Sequence, residues 1–292
     1  MTAPQIIQDL DAMRAAVRHA QAAGETVGIV PTMGALHAGH LSLVAASNQQ
    51  CNRTVVTIFV NPTQFLPGED FEQYPRTLED DLAALAAYEV DFVFTPAAEQ
   101  MYGPRDEQGD FPATATIDAG PIATEYEGRF RPGHFTGVAT VVMKLFQIAP
   151  ADVAFFGQKD YQQTRVIQQM CADLNVPIEV VVCPTLRDPD GLAMSSRNRY
   201  LSADQRRSAL TLYQSLDWAR QRIEQGEHDP AALIEGMRRP FDRIEEARID
   251  YIAIADPNTL QAVGRIEGEV VLLVAVRIGQ TRLIDNLLVA RR

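Results

Sequence analysis

Lysine is almost missing from this chain of 292 residues: Lys144 and Lys159 stand among 26 basic residues, and the remaining 24 are arginines. The basic residues are in turn outnumbered by 38 acidic ones, which leaves a formal net charge of −12. That charge argues against non-specific binding to nucleic acid, because the phosphate backbone would be repelled overall. An anionic substrate would therefore need a locally basic pocket.

Cysteines and long apolar runs are also scarce. Cys51, Cys171 and Cys183 are odd in number and lack metal-ligand spacing, which favours reduced thiols in a cytoplasmic protein. No run of residues is apolar over the length of a membrane span, so no membrane partner is expected. The first ten residues include Asp9 and have no basic segment, which predicts no secretory signal.

Two familiar nucleotide motifs are absent as well. The chain has no G-x-G-x-x-G, which weakens a dinucleotide-binding interpretation. Gly34 and Gly39 have the spacing of a P-loop, but His40 and Leu41 replace its Lys-Ser/Thr pair, which disfavours a Walker-type NTPase.

The patterning predicts an α/β protein. Over about the first 185 residues, strand-like and helix-like segments alternate, as in a parallel sheet with crossover helices. The predicted strands are 27–32, 54–60, 91–95, 153–156 and 178–183, and the predicted helices are 41–48, 78–88, 137–148 and 161–174. The segment 97–131 is rich in Gly, Pro and Thr and is expected to be an extended excursion with short strands.

The pattern changes after Leu186. A helix is predicted at 203–225, started by Ser202, and a second at 230–246, which Pro240 should kink or split. Three strand-like segments follow, at 248–255, 270–276 and 282–288. The expected division is therefore a first domain at 1–185 and a smaller α+β domain at 186–292.

The most informative segment is 27–41, where a strand leads into a glycine-punctuated turn with His37 and His40 three residues apart. Gly34 and Gly39 would let the backbone approach a polyphosphate at the start of a helix. Two alternatives remain: a zinc-binding pair, although further ligands are few, and a structural pair that caps the helix.

Two later segments offer further donors to an anion. Met194-Ser195-Ser196-Arg197 follows the turn Asp188-Pro189-Asp190-Gly191 and supplies hydroxyls and a guanidinium. Lys159 lies in a glycine turn after a strand, where a compact point charge could meet a phosphate.

These segments resemble a known superfamily. The run 31–40 resembles the HIGH motif, and Ala193-Met194-Ser195-Ser196-Arg197 the KMSKS loop, of nucleotidylyltransferases and class I aminoacyl-tRNA synthetases. Four further blocks make the resemblance specific to the AMP-forming pantoate–β-alanine ligases (the pantothenate synthetase family): Asn61-Pro62-Thr63-Gln64-Phe65, Tyr74-Pro75-Arg76-Thr77, Arg131-Pro132-Gly133-His134-Phe135 and Phe156-Gly157-Gln158-Lys159-Asp160-Tyr161-Gln162-Gln163.

The resemblance implies a Rossmann-like ATP- and pantoate-binding domain, a C-terminal lid and a homodimer. It implies catalytic roles for His37, His40, Lys159 and Arg197, and it places the substrate on Gln64, Gln163, Asn61 and Arg131. The ATP-binding residues that it implies are Met33, Gly34, His37, Gly39, His40, Gly157, Lys159, Asp160, Leu186, Met194, Ser195, Ser196 and Arg197.

Two acidic residues at the start of the helix predicted at 78–88 also gain roles from the resemblance. Asp80 would help hold Mg²⁺ on the ATP phosphates, and Asp81 would orient Lys159. Judged by position alone, such acids ordinarily just complement the helix dipole.

The reaction that the resemblance implies is the ATP-dependent joining of pantoate to β-alanine through a pantoyl-adenylate, with release of pyrophosphate and AMP. Two other functions stay open. One is an adenylyltransferase of the same superfamily that acts on a phosphate-bearing acceptor, and the other is a non-catalytic nucleotide-binding regulator.

Overall fold

The computed structural model describes residues 3–107, 111 and 115–290. Its strands are β1 Gln5–Ile7, β2 Val27–Thr32, β3 Arg53–Ile58, β4 Phe92–Phe94, β5 Val153–Gly157, β6 Glu179–Cys183, β7 Ala247–Ala255, β8 Val270–Ile278 and β9 Thr281–Val289. Its helices are α1 Leu10–Ala22, α2 Ala38–Gln50, α3 Leu78–Leu85, α4 Ala98–Tyr102, α5 Glu127–Phe130, α6 His134–Ile148, α7 Tyr161–Asp173, α8 Ala203–Glu224 and α9 Pro230–Arg238.

The chain divides into two compact units. The first comprises Met1–Gly157 and Gln163–Cys183, and the second comprises Gln158–Gln162 and Pro184–Arg292. The turn that carries Lys159 thus belongs to the second unit, although it directly follows β5 in the sequence.

The first unit is built on the predicted parallel sheet. Its six strands lie in the order β1-β4-β3-β2-β5-β6, and every pair is parallel. From β2 the chain runs outward to β3 and β4 and then crosses back to β5 on the other side of β2, so the strand order reverses between β2 and β5. In open α/β sheets, ligands bind beyond the carboxyl ends of the strands at such a switch point. This position is occupied by the loop between β2 and α2.

Both faces of this sheet are covered by apolar side chains. Val138, Val141, Val142 and Leu145 of α6 are spaced as one face of a helix, and all four are buried. Leu43 and Val44 of α2 belong to a separate buried cluster with strand residues of the sheet.

The second unit is the predicted smaller α+β unit. β7, β8 and β9 form an antiparallel sheet in that order, and α8 and α9 contribute to a common apolar core with it. Ser202 caps α8 as predicted: its hydroxyl accepts from the Gln205 amide at 3.2 Å, and the Ser202 amide donates to the Gln205 side-chain oxygen at 3.1 Å. α9 ends at Arg238, two residues before Pro240, so the predicted helix at 230–246 is split.

One prediction on this architecture was wrong. In the described part of 97–131, the chain forms α4, a 3₁₀ turn at Pro121–Ala123 and α5, and no strand. The cause is local: Ala97 and Gly120 each precede a short helical turn whose hydrogen bonds are satisfied within the turn, so no neighbouring strand is needed. None of the helices in the described ranges combines the length and apolarity needed to cross a membrane.

Candidate active site

A buried carboxylate, that of Asp81, fixes the loop between β2 and α2. Asp81 is 2% exposed, and its oxygens accept hydrogen bonds from the backbone amides of Ala35 at 3.0 Å and Leu36 at 2.7 Å. Gly34 and Ala35 are both left-handed, with φ of 78° and 51°. A Cβ on Gly34 would lie 3.0 Å from Asp81 Oδ2, so glycine is needed here for close approach as well as for conformation.

The two histidines cap helix α2. His37 Nδ1 accepts a hydrogen bond from the Gly39 amide at 3.1 Å, and His40 Nδ1 accepts a longer one from the His37 amide at 3.4 Å. The ring centroids lie 4.1 Å apart. The capping alternative is therefore confirmed, and it is compatible with phosphate binding. A neutral ring that accepts through Nδ1 carries its proton on Nε2, which makes each Nε2–H a donor suited to an anion.

The zinc alternative finds no support in the fold. Among the residues that the structure describes, no three or more His, Cys, Asp or Glu side chains are grouped as a metal site would require.

The turn after β3 carries two of the predicted site residues, Asn61 and Gln64, and contacts a third, Met33, in the loop after β2. Asn61 is 1% exposed; its Oδ1 accepts from Thr63 and from the Tyr102 hydroxyl at 2.8 Å, and its Nδ2 donates to Gln64 Oε1 at 3.2 Å. Gln64 Nε2 in turn lies 2.9 Å from Met33 Sδ. Asn61 is thus a support that fixes the Gln64 carboxamide, and Gln64 bridges the loops after β2 and β3.

Helix α6 packs unusually close to this turn. The Asn61 side-chain amide donates to the Gly137 carbonyl at 3.4 Å, and a Cβ built on Gly137 would lie 2.9 Å from Gln64 Cα and closer still to the Thr63 carbonyl. Glycine is therefore required at this position of the helix by the turn that carries Gln64.

We expect Gly137→Ala to destabilise the protein by about 1–3 kcal/mol, the usual range for overpacking. The direction of the change in stability distinguishes the two cases, because replacing a glycine with alanine in an open helix interior would stabilise the protein by about 1 kcal/mol. Urea unfolding measures the effect. Gly268→Ala, where an added Cβ meets nothing within 4 Å, is the control, and equal stability of the two variants would contradict the close contact.

Arg131, predicted to meet substrate anions, contacts a carboxylate of the protein itself. Its Nε and Nη2 each donate to Glu69 at 2.7 Å, and the two side chains are only 12% and 21% exposed. Its Nη1 lies 2.8 Å from His134 Nε2. His134 Nδ1 lies 2.7 Å from the Gln64 carbonyl oxygen, so this cluster fixes the main chain of Gln64.

His134 is held as a neutral donor in this cluster. A guanidinium can only donate, so Nε2 accepts from Arg131 and the proton lies on Nδ1, which donates to Gln64. Burial, assisted by the positive charge of Arg131, lowers the pKa of His134 to about 4, although Glu127 and Glu69 oppose the shift. Burial alone would raise the pKa of Glu69, but the Arg131 guanidinium outweighs burial and the pKa is lowered.

This arrangement predicts a loss of stability in mild acid. Between the ordinary pKa of histidine, near 6.5, and the folded value of about 4, the unfolded chain binds a proton at His134 and the folded chain does not. The free energy of unfolding therefore falls as the pH is lowered through this range, by roughly 2 kcal/mol between pH 7 and pH 5.

We expect His134→Asn, which keeps an N–H donor but cannot titrate, to remove this part of the pH dependence in urea unfolding. His19→Asn, at an exposed position of α1, should keep the wild-type slope. Equal slopes for wild type and His134→Asn would show that His134 already charges in the folded protein.

Two predicted residues lie at helix starts. Asp80 is exposed in the first turn of α3, next to Asp81, and Gln163 is half-buried in the first turn of α7.

The second unit carries the remaining predicted donors. Lys159 occupies the 3₁₀ turn Gln158–Asp160, with its Nζ 3.7 Å from Asp160 Oδ1 and its side chain 19% exposed. Gly157, the last residue of β5, directly precedes this turn and belongs to the first unit.

The serine–arginine segment forms a capped turn. Ser195 Oγ accepts from the Arg197 amide at 3.3 Å and caps the 3₁₀ turn Ser196–Tyr200, so its own hydroxyl proton is available for donation. The Met194 amide donates to the Leu186 carbonyl at 3.0 Å, which brings these two predicted ATP-binding residues together. Ser196 is buried.

The predicted turn before this segment is present. The Gly191 amide donates to the Asp188 carbonyl at 2.8 Å, and Gly191 has φ of 95°. Arg206 of α8 bonds the carboxylates of Asp188 at 2.7 Å and Asp190 at 2.9 Å, so the turn is anchored to the helix. That the histidine pair and the serine–arginine segment meet on one triphosphate stays a prediction.

Comparison with known proteins gives a consistent result. Residues 5–288 match the sequence profile of a family described as pantoate-beta-alanine ligase. A pantothenate synthetase of Rhodopirellula baltica is 51% identical over 279 residues, covering 95% of this chain and 96% of its own. The solved pantothenate synthetase of Thermus thermophilus superposes with a TM-score of 0.88 at 42% identity, covering 97% and 98% of the two chains. A pantoate-beta-alanine ligase of Francisella tularensis, solved with beta-gamma ATP and beta-alanine, gives a TM-score of 0.78 at 32% identity over 98% of both chains.

Proposed function

This chain belongs to the pantoate–β-alanine ligase family, and from that membership we propose how its own residues carry out the family's reaction. The protein joins pantoate to β-alanine with ATP, giving pantothenate, AMP and pyrophosphate. The single observation behind this is the near-complete match to pantothenate synthetases, 51% identical for the relative from R. baltica.

The reaction balances in two steps. A carboxylate oxygen of pantoate bonds to the α-phosphorus of ATP, while the bond from that phosphorus to the bridging oxygen breaks and pyrophosphate leaves. The uncharged amine of β-alanine then attacks the acyl carbon, AMP leaves, and the nitrogen gives up a proton to water. The substrate supplies the nucleophile, so the protein's contribution is positioning and neutralisation of charge.

The first unit is assigned the pantoate and part of the triphosphate. The Nε2–H groups of His37 and His40 and the amides at the start of α2 point to anion binding, which a helix terminus favours by at most about 2 kcal/mol. Gln64, fixed by Asn61 and Met33, is assigned the pantoate hydroxyl together with Gln163. Positioning of this kind can contribute about 7–11 kcal/mol and therefore outweighs the dipole.

The second unit is assigned the departing pyrophosphate. Lys159, Ser195, Ser196 and Arg197 supply an ammonium, two hydroxyls and a guanidinium as donors. Leaving-group charge is met best by donors already in place.

Arg131 is proposed as a positioning residue in addition to its predicted contact with a substrate anion. Its bidentate pair with Glu69 uses Nε and Nη2, and its bond to His134 helps to fix the Gln64 carbonyl. Loss of Arg131 would therefore act on pantoate through Gln64.

Mg²⁺ is proposed to arrive with ATP. The described residues hold no preformed cage of three or more ligands, and Mg²⁺ commonly binds through one or two carboxylates plus substrate phosphates. The exposed carboxylate of Asp80, at the start of α3, fits that limited part. Bound Mg²⁺ would supply charge neutralisation on the phosphates.

We also propose that the protein acts as a homodimer in the cytoplasm. The dimer rests on the family resemblance, and the location on three free cysteines, two of them buried. Light scattering at catalytic concentration tests the dimer.

Mass spectrometry after incubation with MgATP and pantoate, with and without β-alanine, tests the reaction. We expect a pantoyl-adenylate without the amine and pantothenate with it. An adenylyltransferase would instead yield a dinucleotide-like product from a phosphate-bearing acceptor, and a regulator would release no pyrophosphate with any acid.

A further inference from the structure

The turn that carries Lys159 is short and lies between β5 and α7. It is a 3₁₀ turn of three residues, Gln158–Asp160, and short 3₁₀ turns have weaker hydrogen-bond geometry than an α-helix. A lysine side chain adds four rotatable bonds, so the ammonium can be placed only if the backbone beneath it is fixed.

A side chain from the far end of the sequence bonds to this backbone. Asn286 Nδ2 donates to the carbonyl oxygens of Gln158 at 2.9 Å and Lys159 at 2.8 Å. Asn286 is 2% exposed, and a single amide nitrogen thus satisfies two successive carbonyls with both of its protons.

The residue before Asn286 anchors the other donor segment. Asp285 on the same strand, β9, forms a bidentate pair with Arg187, at 2.6 and 2.9 Å. Arg187 lies just before the turn that leads to Met194, and it also donates to the Gly191 carbonyl at 3.2 Å and stacks on the Tyr213 ring. Breaking a buried ion pair of this kind is strongly destabilising, because the remaining charge is left buried without a partner. The pair therefore holds both segments in place.

We propose that Asn286 is a positioning residue for Lys159, and that neighbouring residues of β9 anchor Lys159 and the Met194–Arg197 segment to one strand. This inference rests on the proposed function of Lys159. β9 is an edge strand of the antiparallel sheet, so its side chains can reach both the Gln158–Asp160 turn and the segment that begins at Arg187. The donors assigned to the pyrophosphate are then fixed relative to one another.

The experiment is a double-mutant cycle between Asn286→Ala and Lys159→Ala, read as pantoate-dependent exchange of pyrophosphate into ATP. We expect Asn286→Ala to lower kcat of exchange by about 10–100-fold, since a misplacement of about 1 Å can cost on the order of 10²-fold. The KM for pantoate should change by less than about 2-fold, as expected for independent sites. The residues assigned to pantoate lie in the first unit, whereas Asn286 lies in the second.

The decisive measurement is the exchange rate of the double variant. In the Lys159→Ala background, Asn286→Ala should change exchange by less than about 2-fold, because its effect passes through the missing ammonium. A full additional loss there would show that Asn286 merely supports the fold, and a near wild-type rate for Asn286→Ala alone would equally overturn the proposal.

Two further variants serve as controls: one keeps the shape of the Asn286 side chain, and the other changes an exposed residue of the same unit. Asn286→Asp keeps the shape of the side chain but turns oxygens toward the two carbonyls, so it should lose exchange at least as severely as alanine while remaining folded by circular dichroism. Asn258→Ala, at an exposed position of the same unit, should exchange like wild type. Wild-type exchange by Lys159→Ala would instead refute the role assigned to Lys159.

Discussion

Replacing His40 with alanine is expected to slow formation of the pantoyl-adenylate by about 10²–10³-fold, the scale for removing one preorganised donor. The chain should still fold, because the cap bond that His40 accepts is long, at 3.4 Å, and a lost cap typically costs about 1 kcal/mol. The large kinetic effect is expected because the variant loses the Nε2–H donor. In the wild type, Nδ1 accepts the cap bond, so the ring proton lies on Nε2 at the other side of the ring.

Pantoate-dependent exchange of pyrophosphate into ATP measures this step without β-alanine. His19→Ala, on an exposed part of α1, is the matched control and should exchange at the wild-type rate. Exchange by His40→Ala within a few-fold of that control would remove His40 from the phosphate site.

Asp81→Ala should affect both stability and activity. The carboxylate satisfies two backbone amides in a buried loop, and an unsatisfied buried donor costs about 1–3 kcal/mol. We therefore expect a loss of about 2–4 kcal/mol in unfolding free energy. The loop that leads to His37 would relax, with a fall in adenylate formation on the order of 10²-fold.

Glu79→Ala separates this effect from a change in helix charge, because Glu79 is an exposed acid in the same first turn of α3. Its unfolding free energy and exchange rate should match wild type. Asp81→Asn, which keeps one acceptor oxygen, should fall between the two. If Asp81→Ala proves as stable and active as Glu79→Ala, the loop does not depend on the carboxylate.

Much of the fold could be predicted because its segments are locally decisive. The limits of β2 are those predicted, and Ser202 and Pro240 mark the start of α8 and the interruption near α9. β1 and α1 were not predicted. β1 has only three residues, which is too short for a period, whereas the buried stripe Met13, Val17 and Ala20 with its Asp9 cap is a signal for α1 that the sequence does contain.

The supporting contacts of the site were beyond sequence reasoning. Asp81 meets the Ala35 amide across 46 positions, and Glu69 meets Arg131 across 62. The bond from Asn286 to the Lys159 carbonyl spans 127 positions. No local pattern marks such partners, because they become neighbours only when the sheet and its crossovers are assembled. Arg131 illustrates the consequence: its contact with a substrate anion stays a prediction, and its pair with Glu69 has no signal in the sequence.

The role of Asp81 toward Lys159 stays a prediction. The contacts found for Asp81, with the Ala35 and Leu36 amides, are with the loop instead. Acids in the first turn of a helix look alike in sequence, and only burial separates Asp81 from exposed Asp80.

The left-handed alanine at position 35 has a consequence for how ATP would be received. Glycine would adopt this backbone without strain. For alanine the left-handed conformation costs conformational free energy, and the surrounding structure must hold the residue in it. With Asp81 holding its amide, the residue acts as a rigid spacer between the sheet and the imidazole pair. Nucleotide binding at this loop, as proposed, would then require little ordering of the chain, so the entropic cost of ordering the loop would be small.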